Sequence, residues 1–383
     1  MEIANTEHTE KPAVYKETIP SMLRRCKDWD YKGRGIYMLT LVVRDRHPLL
    51  GTLAGDTENA YIELSDLGKA VNTEVEGIPS HFPQIRVLGK QVMPDHLHML
   101  LFVQEPIPVH LGTVVNGFKL GTNRAYWTAF SERTRTEHPD SATFANHQRV
   151  SCADAFGASK KPAPVSCARS FGEREKLLGF WDDGYHDRIL FHDGQLDAMI
   201  RYIADNPRRL ALKRANPNLF RLHRQTLVGG IACTTLGNIF LADYPQRAVL
   251  QCSRSLTPAD IAALRDDCLA EAANGTIYIT AAISEGEKTI ARTLREAGFP
   301  LIILLENGFP KPDDPHYKYF KPQGVYFEAC AAGRLLLVEP SPALLDRPDI
   351  AAQVTTKAGD LPHSSKRYRF LALNALAAEI AGK

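Results

Sequence analysis

Short, uninterrupted apolar segments alternate with helical segments in the last part of the chain. The apolar segments are RAVLQC (247–252), TIYIT (276–280), LIILLE (301–306) and RLLLVEP (334–340). Strands that are apolar along their whole length are buried on both faces, as in parallel sheets covered by helices. The pattern therefore predicts an open, doubly wound α/β domain over residues 228–383.

The first half of the chain has a different pattern: it has three predicted strands, and two of these follow each other directly in the sequence. Apolar and β-branched residues predict strands at Gly35–Val43, Ile85–Met93 and His96–Val103, and helical spacing predicts helices at Ile62–Val71 and from His110 to Phe130. This order of strands and helices suits a small ferredoxin-like α+β sheet with helices on one face. We expect this domain to span residues 34–224, with a boundary near 222–228.

Two segments have compositions unlike a packed domain. Residues 1–33 begin with a polar, acidic stretch, which predicts a loosely packed leader and not a secretory signal. Residues 132–172 are rich in Ser, Ala and Pro, which predicts a long mobile insertion. His147, Cys152 and Cys167 in this insertion are zinc-ligand types, but their spacing matches no compact zinc knuckle.

Charge and cysteine usage restrict the cellular setting. The net charge is only +2, but seven basic residues and one acid lie between Arg201 and Arg224, and a second basic group includes Lys366, Arg367 and Arg369. Such segments suit a polyanionic partner or form a solvated face. Seven irregularly spaced cysteines and no apolar run of membrane-spanning length predict a cytoplasmic protein without a membrane partner.

Two histidines interrupt the most apolar strand of the first half. His96 and His98 follow a Pro94-Asp95 turn, and alternate strand residues share a face. Their imidazoles can therefore converge on one metal ion, whereas Leu97 and Met99 face a core. A pair of structural histidines remains the alternative, and two ligands alone do not complete a site for a divalent cation.

The helix near residue 200 offers the missing groups. Its apolar stripe consists of Leu196, Met199, Ile200 and Ile203, and Pro207 predicts its end at Asn206. Tyr202 and Asn206 lie one turn apart on a face that borders this stripe. The Asn206 carbonyl oxygen suits Mg²⁺ or Mn²⁺, and the Tyr202 hydroxyl suits attack on a phosphodiester. The alternative is a partly buried tyrosine and an asparagine that caps a helix.

These motifs resemble those of a known family. The stretch MPDHLH is similar to the His-hydrophobe-His (HUH) motif of single-tyrosine transposases, and WDDGYHDRIL followed by YIADNPRRLAL resembles REP-associated tyrosine transposases. The resemblance covers about residues 30–222. It implies an HUH nuclease that cleaves and rejoins single-stranded DNA at hairpin-forming repeats, and thus acts in DNA transposition and recombination.

The resemblance also implies a role for particular residues. It implies Mg²⁺ or Mn²⁺ ligands at His96 and His98, a further ligand at Asn206, and a nucleophile at Tyr202, with Tyr185 as the second candidate. The phosphate contacts that it suggests are Lys119, Arg124, Arg208 and Arg209. It leaves open whether the histidines and the tyrosine meet within one chain or across a homodimer. A location at the nucleoid within the cytoplasm follows from the DNA substrate.

The C-terminal segment resembles a different family. ITAAISEGEKTIARTLREAGFPLIILLENGF and the following CAAGRLLLVEP are similar to the Rossmann-like fold of DNA-processing (DprA-like) proteins. Sheets of this kind bind ligands in the loops at the carboxyl ends of their strands, and helix N-termini bind anions such as phosphate. The residues in these loops are Ser253, Arg254, Ser284 and Gly286. A structural appendage with ordinary loops is the alternative.

Three functions are compatible with the sequence. The first is the metal-dependent transposase, the second a domesticated DNA-binding protein that keeps the fold without catalysis, and the third a zinc hydrolase built on His-x-His. Metal-dependent nicking of hairpin DNA separates the first from the second. Retention of zinc through dialysis distinguishes the third.

Overall fold

The computed structural model describes residues 26, 29–137, 179–253, 255–306, 308–309, 322 and 324–382, with side chains omitted for 129–137. The chain divides into two compact units, Met1–Ala211 and Leu212–Lys383. The division falls before the predicted boundary at 222–228. Phe220 and Leu222 pack against the core of the second unit, which explains why this connecting segment belongs to that unit. The predicted insertion at 132–172 and its zinc-ligand types lie mostly outside the described residues.

The first unit is built on a four-stranded antiparallel sheet. Its strands and helices are β1 (Gly35–Val42), β2 (Gly51–Ala54), β3 (Tyr61–Leu64), α1 (Asp66–His81), β4 (Ile85–Met93), β5 (His96–Val103), α2 (Leu111–Glu137), β6 (His186–Leu190), α3 (Gln195–Ala204) and α4 (Asn206–Ala215), the last of which runs past Ala211. The strand order in the sheet is β4-β5-β1-β6, and β2 pairs with β3 in a separate hairpin. The sheet therefore places β5, the strand that carries the histidine pair, next to β1 in its centre.

The two faces of this sheet bury different sets of residues. One face includes Leu39, Leu97 and Met99, which are buried in the main core together with Val75 of α1 and Val115 of α2. This confirms the prediction that the apolar residues between and after the histidines face a core.

The opposite face carries α3, whereas the sequence predicted helices on one face. Leu196, Met199 and Ile203 of α3 pack against Leu100 and Met38. The predicted stripe of α3 is correct except at Ile200, which is exposed. Because α3 covers only the middle of this face, the strand end with His96 and His98 lies beside it.

Three local predictions for the first unit need correction. The segment predicted as a helix at Ile62–Val71 begins as β3, and α1 begins after Ser65, whose side chain accepts a hydrogen bond from the Gly68 amide. The end of the predicted leader is ordered, because Tyr31 is buried and donates a 2.7 Å hydrogen bond to Asp187. The helix expected to end near Phe130 continues as α2 to Glu137.

The second unit contains a six-stranded mixed sheet. Its strands and helices are β7 (His223–Val228), β8 (Ile231–Gly237), β9 (Arg247–Val249), α5 (Pro258–Ala273), β10 (Ile277–Thr280), α6 (Glu285–Glu296), β11 (Leu301–Leu304), α7 (Val325–Ala331), β12 (Leu335–Pro340), α8 (Pro342–Leu345), α9 (Pro348–Ala358) and α10 (Lys366–Ile380). Strands β9 to β12 are parallel and adjacent in chain order, and β8 and β7 extend the sheet in antiparallel pairing.

The parallel strands do not form the predicted doubly wound arrangement. One face of the sheet packs with residues of α5, α6 and α7, and the other with residues of α9 and α10, so helices cover both faces as expected. However, the strand order runs from β9 to β12 without reversing. A doubly wound sheet binds ligands in the crevice where its strand order reverses, and this sheet lacks such a crevice among its parallel strands.

None of the described helices combines the length and apolar character that a membrane span requires.

Candidate functional site

His96 and His98 lie on the sheet face that α3 partly covers. Their ring centroids are 4.7 Å apart, with the ring planes nearly perpendicular. His98 is opposite Thr40 of β1 in the strand register, so both side chains are on the same face. Nδ1 of His98 lies 2.8 Å from the Thr40 hydroxyl. The strand pairing therefore fixes the orientation of the His98 ring.

A carboxylate fixes the second histidine. Nδ1 of His96 lies 2.6 Å from Oδ1 of Asp95, and Oδ2 of the same carboxylate lies 3.0 Å from the guanidinium of Arg46. An ionised carboxylate only accepts hydrogen bonds, so the proton of this bond lies on Nδ1, and Nε2 is the nitrogen of His96 that is available to bind a metal. A histidine that binds a metal through one nitrogen commonly donates from the other to such a carboxylate.

Burial and neighbouring charges set the ionisation of these groups. Burial, with smaller effects of His96 and Arg46, lowers the pKa of His98 to about 3. The His98 ring is therefore neutral near pH 7. Burial opposes ionisation of Asp95, but hydrogen bonds from His96 and Arg46 outweigh it and lower the pKa of Asp95 to about 2. A neutral ring, such as that of His98, is the form in which histidine binds metal ions.

Tyr202 reaches the histidine pair from α3. Its ring centroid is 5.7 Å from that of His98, in an edge-to-face arrangement. Tyr202 is only partly buried and packs at the margin of the small cluster that α3 forms with the sheet. Tyr185, the second candidate nucleophile, is instead buried in the main core. The structure therefore brings Tyr202, and not Tyr185, into ring contact with a histidine of the pair.

Asn206 is buried next to this tyrosine. Its side-chain nitrogen donates to the backbone carbonyl of Tyr202 at 2.9 Å, which leaves its carbonyl oxygen as a potential ligand. Helix α3 ends at Ala204 and α4 begins at Asn206, so Pro207 lies at the start of a second helix. Proline is tolerated there because the first amides of a helix have no partner within it.

The donor set fits a divalent cation only with ligands from outside the chain. Two imidazole nitrogens, together with the amide oxygen of Asn206, are suitable donors for Mn²⁺, and less so for Mg²⁺, which prefers oxygen. Among the described residues, no group of three or more His, Cys, Asp and Glu side chains is arranged to hold a metal ion. Water or phosphate oxygens would therefore fill the remaining positions.

The predicted phosphate contacts differ in their surroundings. Arg209 is buried, with its guanidinium 5.6 Å from the Tyr202 ring centroid. Arg208 pairs with Asp205 at 2.6 Å. Lys119 donates to the backbone carbonyls of Asp182 and Gly184, and Arg124 is exposed on α2. Of this set, the structure places Arg209 at the candidate nucleophile.

In the second unit, the predicted phosphate loop is occupied by groups of the protein itself. The Ser284 hydroxyl caps α6, and the buried carboxylate of Glu287 accepts hydrogen bonds from the amides of Cys252, Ile283 and Ser284. A Cβ on Gly286 would lie 3.1 Å from that of Cys252, so this glycine permits close packing of α6. Ser253 bonds Ser255, and Arg254 lies outside the described residues. An internal carboxylate thus takes the place of an anion at this helix N-terminus.

Sequence reasoning missed three residues of the site. From the sequence, Asp95 is recognisable only as part of a turn, although its carboxylate contacts the next residue, His96. Thr40 and Arg46 come from β1 and the segment after it, more than 45 residues from the histidines. Only the pairing of β1 with β5 brings them close, and the sequence contains no local signal for that pairing.

Comparisons with known proteins find one relative that matches a short part of the chain, and distant similarities to solved structures. None of the known family models matches the chain. An uncharacterized protein of Haemophilus influenzae is 32% identical over 83 residues, which cover 22% of this chain and 44% of that protein. The chain thus matches less than half the length of this relative, and the match assigns no activity.

Two solved structures are also similar. A REP-associated tyrosine transposase bound to a REP hairpin matches with a TM-score of 0.28 and 12% identity, over 48% of this chain and 72% of that one. An inferred transposase from Deinococcus radiodurans R1 matches with a TM-score of 0.24 and 16% identity, over 48% of this chain and 98% of that one. Both TM-scores are too low to assign a function to this chain.

Proposed function

We propose that the first unit is a ferredoxin-like HUH nuclease that cleaves and rejoins single-stranded DNA at hairpin-forming repeats through a 5′-phosphotyrosine. The observation that carries this proposal is the contact of the Tyr202 ring with His98, in a pair of histidines that both use Nδ1 for hydrogen bonds. When Nδ1 of a neutral ring donates its bond, Nε2 keeps the lone pair that binds a metal ion. A phenol, two oriented imidazoles and nearby guanidinium groups suit phosphodiester transfer.

The proposed reaction is an in-line displacement at phosphorus. The Tyr202 hydroxyl oxygen attacks, the bond from phosphorus to the 3′ oxygen breaks, and the phenolic proton is lost as the 3′-hydroxyl is formed. The new phosphotyrosine keeps a phosphodiester, so attack by another 3′-hydroxyl can restore the DNA chain without ATP. A bound Mg²⁺ or Mn²⁺ would supply charge stabilisation to the phosphoryl oxygens.

The chain's own residues prepare this step. Thr40 and Asp95 orient the two rings, and Arg209 lies over the face of Tyr202. A cation close to the phenol attracts the DNA backbone. His96, His98 and Asn206 are the proposed ligands, and Lys119, Arg124 and Arg208 remain proposed contacts for more distant phosphates.

The wider setting is part of the proposal. A cytoplasmic, nucleoid-associated protein with single-stranded hairpin DNA as its partner follows from this activity, and a homodimer is one arrangement in which it can act. For the second unit we infer a class that is Rossmann-like only in having a parallel sheet covered by helices on both faces, without the doubly wound strand order. We do not extend the proposal to nucleotide binding at its Ser253, Arg254, Ser284 and Gly286 positions, because Glu287 occupies the anion position there.

Cleavage of labelled hairpin DNA from the flanks of the gene tests this function. The protein is incubated with the DNA and Mn²⁺, with and without EDTA, beside His98→Ala. We expect nicking that requires metal and is lost in the variant. Tight hairpin binding without nicking would favour the domesticated DNA-binding protein instead.

A further inference from the structure

The turn after β1 has an unusual backbone. Asp45 and Arg46 are consecutive non-glycine residues with φ angles of 54° and 55°. L residues seldom adopt this left-handed conformation, and it persists only where surrounding contacts enforce it. The Val43 amide bonds the Asp95 carbonyl at 2.9 Å, and the Arg44 amide bonds the Phe180 carbonyl at 2.9 Å. The turn is therefore anchored to the segment that begins the histidine strand.

This turn places a guanidinium beside the histidine pair. Arg46 contacts Asp95 at 3.0 Å, and Asp95 contacts His96 at 2.6 Å through its other oxygen. The Arg46 side chain is 65% exposed, whereas that of His96 is 17% exposed. Since a guanidinium has five N–H donors in a planar fork, the contact with Asp95 leaves several donors facing solvent next to the metal-binding candidates.

We propose that Arg46 binds the phosphodiester that is cleaved, holding it against the histidine pair; this inference rests on the proposed function. Arginine suits this role because its fork donates two hydrogen bonds to one phosphate. Asp95 contacts both the guanidinium of Arg46 and the ring of His96. One carboxylate therefore orients the proposed phosphate contact and the proposed metal ligand together. The strained backbone of the turn maintains that arrangement before DNA arrives.

Two glycine substitutions separate this role from a structural one. Arg46→Gly and Asp45→Gly each relieve one left-handed residue, so neither should lower the melting temperature. Only Arg46→Gly removes the guanidinium. Asp45→Gly removes an acid and should bind DNA at least as well as the unmodified protein. Arg46→Lys keeps the charge but loses the fork.

The experiment measures hairpin affinity as a function of salt, and the rate of covalent adduct formation with Mn²⁺ at saturating DNA. For Arg46→Gly we expect affinity to fall about tenfold, as for one lost charge-assisted hydrogen bond. The slope of log affinity against log salt should become shallower by about 0.7, the value for one single-strand phosphate. The adduct rate should fall at least about tenfold, and Arg46→Lys should keep the slope but recover only part of the rate.

Equal salt slopes and adduct rates for Arg46→Gly and Asp45→Gly would overturn the role of Arg46 while leaving the proposed function intact. The absence of any adduct from the unmodified protein would overturn the proposed function, and this inference with it.

Discussion

Tyr202 lies edge-to-face against His98, with ring centroids 5.7 Å apart, although 104 positions separate them in the chain. Helix α3 makes this contact because its apolar stripe packs on the sheet, and its last turn, which carries Tyr202, lies against the strand end. The phenol is thus held by packing on a rigid helix and not by a loop. A nucleophile on such an element keeps a fixed position relative to the groups that it must meet.

The hydrogen bond between Nδ1 of His98 and the Thr40 hydroxyl is expected to support metal binding. In Thr40→Val the side-chain shape is kept but Nδ1 of His98 loses its partner, so the ring is less firmly oriented. Loss of such an outer contact typically weakens metal affinity about 10–100-fold. Titration of Mn²⁺ followed by electron paramagnetic resonance measures the change.

Thr122→Val is the matched control. Thr122 is fully buried, and its hydroxyl accepts a 2.8 Å hydrogen bond from the Trp181 indole. Its replacement leaves a buried donor without a partner, which costs about 1–3 kcal/mol of unfolding free energy. We expect it to lose stability but to keep its Mn²⁺ affinity. If both variants bind Mn²⁺ as the unmodified protein does, the assignment of Thr40 is wrong.

The buried Glu287 carboxylate is expected to stabilise the second unit. It accepts hydrogen bonds from the amides of Cys252 and Ile283 at 3.1 and 2.7 Å. In Glu287→Gln one acceptor becomes an NH₂ group that faces an N–H donor. Chemical denaturation should show a loss of about 1–3 kcal/mol. Glu285→Gln, on the exposed side of the same helix, should change stability little. Equal effects of the two changes would contradict the role given to Glu287.

Cysteine reactivity is expected to follow burial. Burial raises the pKa of Cys233 to about 11, of Cys330 to about 12, and, with a smaller effect of Glu287, of Cys252 to about 11; it also raises that of Cys268. Because the thiolate is the reactive form, these thiols stay protonated at pH 8, whereas Cys26 is exposed. Iodoacetamide followed by peptide mass spectrometry should label Cys26 in the folded protein and the other four only after unfolding. Rapid labelling of any of these four in the folded state would show that the second unit opens more readily than its packing indicates.

The central strands could be predicted from the sequence because their signals are local. The apolar residues of His96–Val103 and the turn at Pro94-Asp95 predict the strand, and the spacing of the histidines places both on one face. The stripe of α3 likewise predicts which face packs. The position of Tyr202 follows from that stripe by helical spacing, whereas Asn206 lies just beyond α3, at the start of α4.

Other parts of the fold depended on signals that were weak or overlooked. Gly229 and Gly230, both with positive φ, join β7 to β8, and a Gly-Gly pair between two β-rich segments is a local hairpin signal. The order of the parallel strands depends on which neighbours pair, and apolar segments of similar composition do not specify it.

The remaining part of the site depends on non-local pairing. Thr40 is a polar residue in an apolar strand, and only its register with His98 gives it a role. Arg46 has no local motif at all, because its position results from two left-handed residues that sequence propensities do not favour. The structure therefore adds the groups that orient the histidines to those that the sequence predicts.

The most direct test of the account identifies the residue that carries the DNA. After reaction with hairpin DNA and Mn²⁺, the protein is digested with nuclease and protease, and peptides that retain a nucleotide 5′-phosphate are sequenced by mass spectrometry. The account predicts the modification on Tyr202, and none in Tyr202→Phe. A nucleotide on Tyr185 or on any other residue would contradict it.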